Sequence, residues 1–179
     1  NSQVERCNEI LKRLTLNPVE EDEFIDKDIN IRNYLQEIIS SFKEISRKEF
    51  ILNFDQDSNP KKITKSIEIV YGLRNFIGNA NKFAKNSIFI NLKSDSEFTE
   101  ITVEDDGNGY PRDIVSKIGE PYLKSNYSKD KSKEGLGLGL FIGKTLLEKN
   151  FASVNCRNSK TRDGAEVVIR WKNKELFNI

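Results

Sequence analysis

The chain contains no histidine, no methionine and only two cysteines among its 179 residues. Without histidine, any chemistry that needs an imidazole must borrow one from outside this chain. Without methionine, the chain does not begin at a natural start codon and reads as a piece of a longer protein. Cys7 and Cys156 lie far apart, which argues against a disulfide scaffold and suits a reducing compartment. No apolar run approaches the length needed to span a bilayer, and no signal peptide is visible. Charge of one sign is lacking too. Lys and Arg number 29 against 28 Asp and Glu, so no overall field points to nucleic acid or membrane. What is present is a composition 32% charged and 36% hydrophobic, that of a soluble folded protein. The length allows one good core, with or without an appendage.

Val4, Cys7, Leu11 and Leu14 are spaced 3-4-3, the seam of a short coiled-coil-like helix. That helix stops at Asn17-Pro18, where an acidic run follows. Residues 1–16 are therefore expected to be the tail of a helical bundle, 17–23 a linker, and 24–179 a domain. Within the domain, residues 31–46 and 66–85 have helical periodicity, and KEFILNF, SIFINLK and TEITVED alternate like strands. FIGKTLLEKN continues as a helix, and SVNCRNS and AEVVIRW form a closing hairpin. The expected class is α+β, a two-layer sandwich with helices on one side of a mixed, mainly antiparallel sheet.

Three local signals point to chemistry. On the helix YGLRNFIGNANKFAK, Val70, Leu73, Ile77, Ala80 and Ala84 gather on one stripe. Asn75, Asn79 and Lys82 fall within roughly 60° of one another on the opposite side. Phe76 and Phe83 flank the gap, and the polar side is either a covered cleft or a solvated face. In TEITVEDD, Asp105 shares the parity of Ile101 and Val103 and is expected inward, where a carboxylate needs a donor. Gly107 and Gly109 then permit a tight turn and close approach to a ligand. A plain Asp106-Gly107 turn explains the same letters. Finally, Gly135, Gly137 and Gly139 run directly into a helix whose first N–H groups suit phosphate oxygens. A hinge with glycines kept for close packing is the other explanation.

The ordered combination Asn-x-x-x-Asn-Ala-x-Lys-Phe, Asp-x-Gly-x-Gly and Gly-x-Gly-x-Gly-Leu resembles the N, G1 and G2 boxes of the GHKL ATPase superfamily. More narrowly, it resembles the catalytic ATP-binding domain of sensor histidine kinases. IGEPYLKS fits the intervening F box, with Ile118 and Gly119 in place of its usual aromatic start. The resemblance implies ATP or ADP with Mg²⁺ as ligands. It implies that Asn79 ligates the metal and Asn75 supports it, with Lys82 by the phosphates and Phe83 beside the adenine. Asp105 would accept a hydrogen bond from the adenine amino group, and Gly107 and Gly109 would open the pocket floor. Gly135, Leu136, Gly137, Leu138 and Gly139 would wrap the phosphates. Lys124 and the loop 125–134 would form a lid, with Lys124 contacting the γ-phosphate.

Branches resembling gyrase, MutL and Hsp90 carry a glutamate at the position of Asn75 to activate water, a role an amide cannot fill. The implied acceptor is instead a histidine on a helix absent here, in a homodimeric parent that relays the group to a response regulator. A protein serine kinase of anti-sigma-factor type and a non-catalytic nucleotide-binding module are the alternatives. The implied setting is a cytoplasmic domain whose parent contacts the bacterial inner membrane only through missing parts, with no nucleic-acid partner. QVERCNEILKRL and GLGLGLFIGKTLLE look most like the redox-responsive RegB/PrrB kinases. In that group a cysteine on this bundle helix is tied to redox sensing, which would make Cys7 a redox site. A small buried residue filling a helix interface accounts for Cys7 equally well.

Overall fold

The computed structural model describes residues 29–55, 62–63, 66–121 and 138–176. The elements run β1 (Ile29–Asn30), α1 (Ile31–Lys43), β2 (Glu49–Phe54), β3 (Lys62–Ile63) and α2 (Ile67–Phe83). They continue with β4 (Ser87–Ser94), β5 (Phe98–Asp105), a 3-10 turn (Val115–Lys117), α3 (Gly139–Lys149), β6 (Ser153–Asn158), β7 (Ala165–Lys172) and α4 (Asn173–Leu176). Five strands form one sheet in the order β2-β4-β5-β7-β6. Only β2 and β4 are parallel, paired from Glu49↔Ser87 to Phe54↔Leu92. The remaining pairs of that sheet are antiparallel, so the expected mixed, mainly antiparallel sheet is found. The short strands β1 and β3 pair separately.

Side-chain alternation decides which face is covered. Ile88, Ile90 and Leu92 of β4, Ile101 and Val103 of β5, and Val167, Ile169 and Trp171 of β7 all point inward and are buried. The helices supply the other layer. Ile31, Tyr34, Leu35, Ile38 and Ile39 of α1 repeat at helical spacing and are buried against it. Each such aliphatic side chain contributes about 1.5–3 kcal/mol on burial. The α1 helix ends at Lys43 rather than 46, because its apolar repeat stops at Phe42 and Ile45 is left 80% exposed.

The α2 helix is secured at both ends. Ser66 caps its start, its Oγ accepting from the Ile69 N–H at 3.4 Å. At the other end the Lys48 ammonium donates to the carbonyls of Asn81 and Ala84, the latter at 2.7 Å. A cation there also offsets the negative end of the helix dipole. The turn from α2 into β4 is tied down by Asp106, which accepts from the Lys85 N–H at 2.7 Å and the Asn86 N–H at 3.0 Å. Burial raises the Asp106 pKa, but the N–H groups of Asn86, Ser87 and Lys85 outweigh it and hold the carboxyl below the usual range.

Candidate functional site

The buried stripe of α2 is Ile69, Gly72, Leu73, Phe76, Ile77 and Ala80, with Ala84 just beyond the helix. This is rotated from the sequence-based expectation. Val70 is only half-buried, and Phe76 is a core residue rather than a flank of the polar side. The cause is α3, which packs on α2 and needs a wider apolar face. Two glycines allow the close approach. A Cβ on Gly72 would lie 2.6 Å from Leu147 Cγ, and one on Gly143 would lie 3.0 Å from both Asn75 Cβ and Phe76 Cε2.

That approach brings the amide face of α2 to the start of α3. The Asn75 Nδ2 group donates to the Tyr71 carbonyl at 2.8 Å. Its Oδ1 looks toward Gly139, where an added Cβ would lie 3.6 Å from it. Asn79, one turn on, is half-buried, and its side chain has no hydrogen bond among the described residues. Lys82 is exposed with its ammonium 5.4 Å from the Phe83 ring, and Phe83 itself is 41% exposed. Leu138 stands immediately before α3, and Gly139 is the first helical residue.

Asp105 lies at the inward end of β5 and is 2% exposed. Both of its backbone donors converge on one oxygen: the Gly107 N–H at 2.8 Å and the Ala165 N–H at 3.2 Å reach Oδ1. Oδ2 has no partner among the described residues. Burial raises the pKa of this carboxyl, and the two N–H groups and the Lys48 charge only partly offset the rise. Gly107 is held against the end of α2, where a Cβ would lie 2.5 Å from the Phe83 carbonyl oxygen. The acid and the amide-bearing helix are thus joined by a backbone contact that only glycine permits.

Three further residues of the site carry no recognisable signal in the sequence. Gly164 rests on Asp105 so closely that a Cβ would sit 1.7 Å from its carbonyl oxygen. Asn158 binds the backbone of Tyr110 through both ends of its amide. Lys48 closes α2 as described. Gly164 was visible only as one letter in a hairpin turn, and Asn158 and Lys48 carry no spacing that marks them. On the outer face of the sheet, Glu104 is 6% exposed and bound by Ser159 Oγ, by Thr161 Oγ1 at 3.1 Å and by Arg162 Nε at 3.3 Å. The Arg162 guanidinium lies 3.8 Å from the centroid of the Phe89 ring.

The departure at Ile118-Gly119 also has a structural reason. Ile118 is buried, and Gly119 takes φ +98°. A Cβ there would lie 2.6 Å from Lys144 Cδ, so the aliphatic stem of Lys144 fills the space above it. Cys156 packs at the edge of the core beside the buried Tyr110 hydroxyl, and burial pushes its thiol up to about 11. Residues 1–16 and 17–23, Cys7, Lys124, Gly135, Leu136 and Gly137 lie outside the described residues.

Residues 64–175 match the family described as histidine kinase-, DNA gyrase B-, and HSP90-like ATPase. The sensor histidine kinase RegB of Cereibacter sphaeroides is 36% identical over 108 residues, which is 58% of this chain and 23% of the relative. The sensor histidine kinase CpxA of Escherichia coli is 27% identical over 101 residues, 56% of this chain and 21% of the relative. The chain therefore spans about a quarter of the length of the curated relatives it matches. Among solved structures, a mycobacterial sensor histidine kinase, MprB, superposes with a TM-score of 0.68 at 17% identity, over 81% of this chain and 97% of that one. Full-length ShkA in complex with AMPPNP gives 0.66 at 21% identity, over 80% of this chain and 30% of that one. With the fold, the amide-bearing helix and the inward acid agreeing, the chain belongs to the histidine kinase-, DNA gyrase B-, and HSP90-like ATPase family.

Proposed function

We propose that this chain is the ATP-binding domain of a sensor histidine kinase and passes the γ-phosphoryl group of ATP to a histidine outside it. The observation that carries the reading is Asp105. Its Oδ1 is doubly bound by backbone N–H groups while Oδ2 is left to a ligand donor, as an adenine amino group would require. An inward carboxylate oxygen with no protein partner is ready to accept from a ligand donor. Gly107 and Gly109 let the loop fold tightly against the acid, the end of α2 and Asn158, and Phe83 offers an exposed aromatic edge at the same end of α2.

The amides of α2 fit a metal that binds through hard oxygen atoms. Asn79 has an uncommitted side chain, and Asn75 keeps its oxygen free by spending its N–H on Tyr71. These residues would hold Mg²⁺, which would neutralise phosphate charge when bound. Lys82 adds a cation on the same face, and the first turn of α3 at Leu138 and Gly139 offers backbone N–H groups. Gly135, Leu136, Gly137 and Lys124 complete the phosphate side in this reading.

Asn75 cannot act as a base toward water. The bound ATP should therefore be kept for an external acceptor, with catalysis resting on positioning and charge neutralisation. The acceptor would be a histidine helix of a homodimeric parent, and the group would pass on to a response regulator. Similarity to RegB and CpxA supports this placement. In the same reading the domain faces the cytoplasm, and any membrane attachment belongs to other parts of the parent. No described helix is long and apolar enough to cross a membrane.

Calorimetry with ADP and ATP, with and without Mg²⁺, tests the pocket. Binding is expected, and Asp105→Asn should weaken it by about 2 kcal/mol, the value of a hydrogen bond to a charged group. Adding a histidine-bearing helix from the parent should give acid-labile phosphate on that helix. Binding unchanged by Asp105→Asn would remove the basis of the assignment.

A further inference from the structure

The segment from Gly107 to Tyr110 leaves β5 and pairs with no strand among the described residues, yet Tyr110 is hydrogen-bonded as if it did. The Tyr110 N–H donates to Asn158 Oδ1 at 2.6 Å, and Asn158 Nδ2 donates to the Tyr110 carbonyl at 3.0 Å. This is the reciprocal exchange made by paired residues of antiparallel strands, with a side-chain amide standing in for one peptide. The amide also lies against Gly109, which has φ +70° and where a Cβ would sit 2.7 Å from Asn158 Oδ1. Asn158 therefore fixes both neighbouring peptides of the loop. Its hairpin then returns through Gly164 and Ala165, which press on the Asp105 carbonyl and bind its Oδ1. One hairpin grips the acid at one end of the loop and Tyr110 at the other.

We propose that Asn158 is a positioning residue for the nucleotide base, its amide clamping Gly109 and Tyr110 so that Gly107 keeps Oδ1 of Asp105 occupied and Oδ2 available. The proposal rests on the reading of Asp105 as the base acceptor. The chemistry of the clamp selects asparagine. Aspartate keeps the acceptor but loses the donor, glutamine is one methylene too long, and serine has a single oxygen in place of a separate donor and acceptor.

The test uses the whole 179-residue chain and calorimetry with ADP and GDP. Asn158→Ala is expected to weaken ADP about tenfold, the scale of one lost positioning contact, and to leave GDP within about twofold. The ADP-over-GDP preference should fall accordingly. Asn158→Asp should lose about threefold for ADP, and it carries the same test if the alanine variant does not fold. In an Asp105→Asn background, Asn158→Ala should cause no further loss. Wild-type ADP affinity in Asn158→Ala, equal losses for both nucleotides, or additive losses in the double variant would overturn the clamp. No ADP binding by the unaltered chain would instead overturn the nucleotide reading, and the clamp with it.

Discussion

If Asp105 receives the nucleotide base as proposed, its protonation should govern how binding responds to pH. Its pKa is raised, chiefly by burial, so it takes up a proton at a higher pH than an ordinary aspartate near 3.9. In the proposed function, the ionised form is the one that would accept from an amino group at Oδ2. Affinity for adenosine, which has no phosphate to titrate, is therefore expected to fall on acidification, with the midpoint above 3.9. Asp105→Asn should remove that step, which calorimetry across the acid range would read. A second residue makes a stability prediction. Phe151 holds φ 62°, a left-handed conformation that costs an L-residue roughly 1–2 kcal/mol, and its side chain is 62% exposed. Phe151→Gly should raise stability by about 0.5–1 kcal/mol after glycine's own entropy cost, measured by urea denaturation. The inward direction of Asp105 could be read from the parity it shares with Ile101 and Val103. The strain at Phe151 could not, because nothing in FAS specifies a positive φ.

At the scale of elements, α2 and α3 are held together by the absence of side chains. Gly72→Ala should destabilise the fold by about 1 kcal/mol, although alanine is the better helix former. Its Cβ would come within 2.7 Å of two atoms of the fully buried Leu147 side chain. Gly78 lies on the same helix, but a Cβ there would meet only the Phe42 ring at 3.5 Å, an ordinary contact. Gly78→Ala should stabilise by about 0.5–1 kcal/mol, so denaturation of the two variants should move in opposite directions. The sequence disclosed α2 itself through its 3.6-residue repeat, but not which shoulder was buried. Phe76 goes inward because α3 covers it, and α3 is separated from α2 by more than fifty residues of chain. Local periodicity carries no record of such a partner. The same reasoning explains Asn158 and Lys48, whose roles consist of hydrogen bonds to backbone distant in sequence.

At the scale of the whole molecule, a mixed, mainly antiparallel sheet with helices on one side followed from the alternation of the strands, whereas the strand order β2-β4-β5-β7-β6 is known only from the structure. The juxtaposition of the Asn75 helix with the start of α3 did not follow either, since it depends on Gly72 and Gly143 meeting across an interface. The β6–β7 hairpin grips β5 from both faces, through Asp105 on the helix side and through Glu104 on the other. Replacing Arg162 by Ala would leave Glu104 buried with only hydroxyl partners and loosen that hairpin. Arg162→Ala should therefore weaken ADP measurably in calorimetry, although Arg162 lies on the other face of the sheet from the proposed nucleotide site. A deep mutational screen scored only by nucleotide retention would then flag a rear patch that no bound molecule touches. Whoever maps such hits onto the surface would be tempted to draw a second binding face where there is only the reverse side of a hinge-pin.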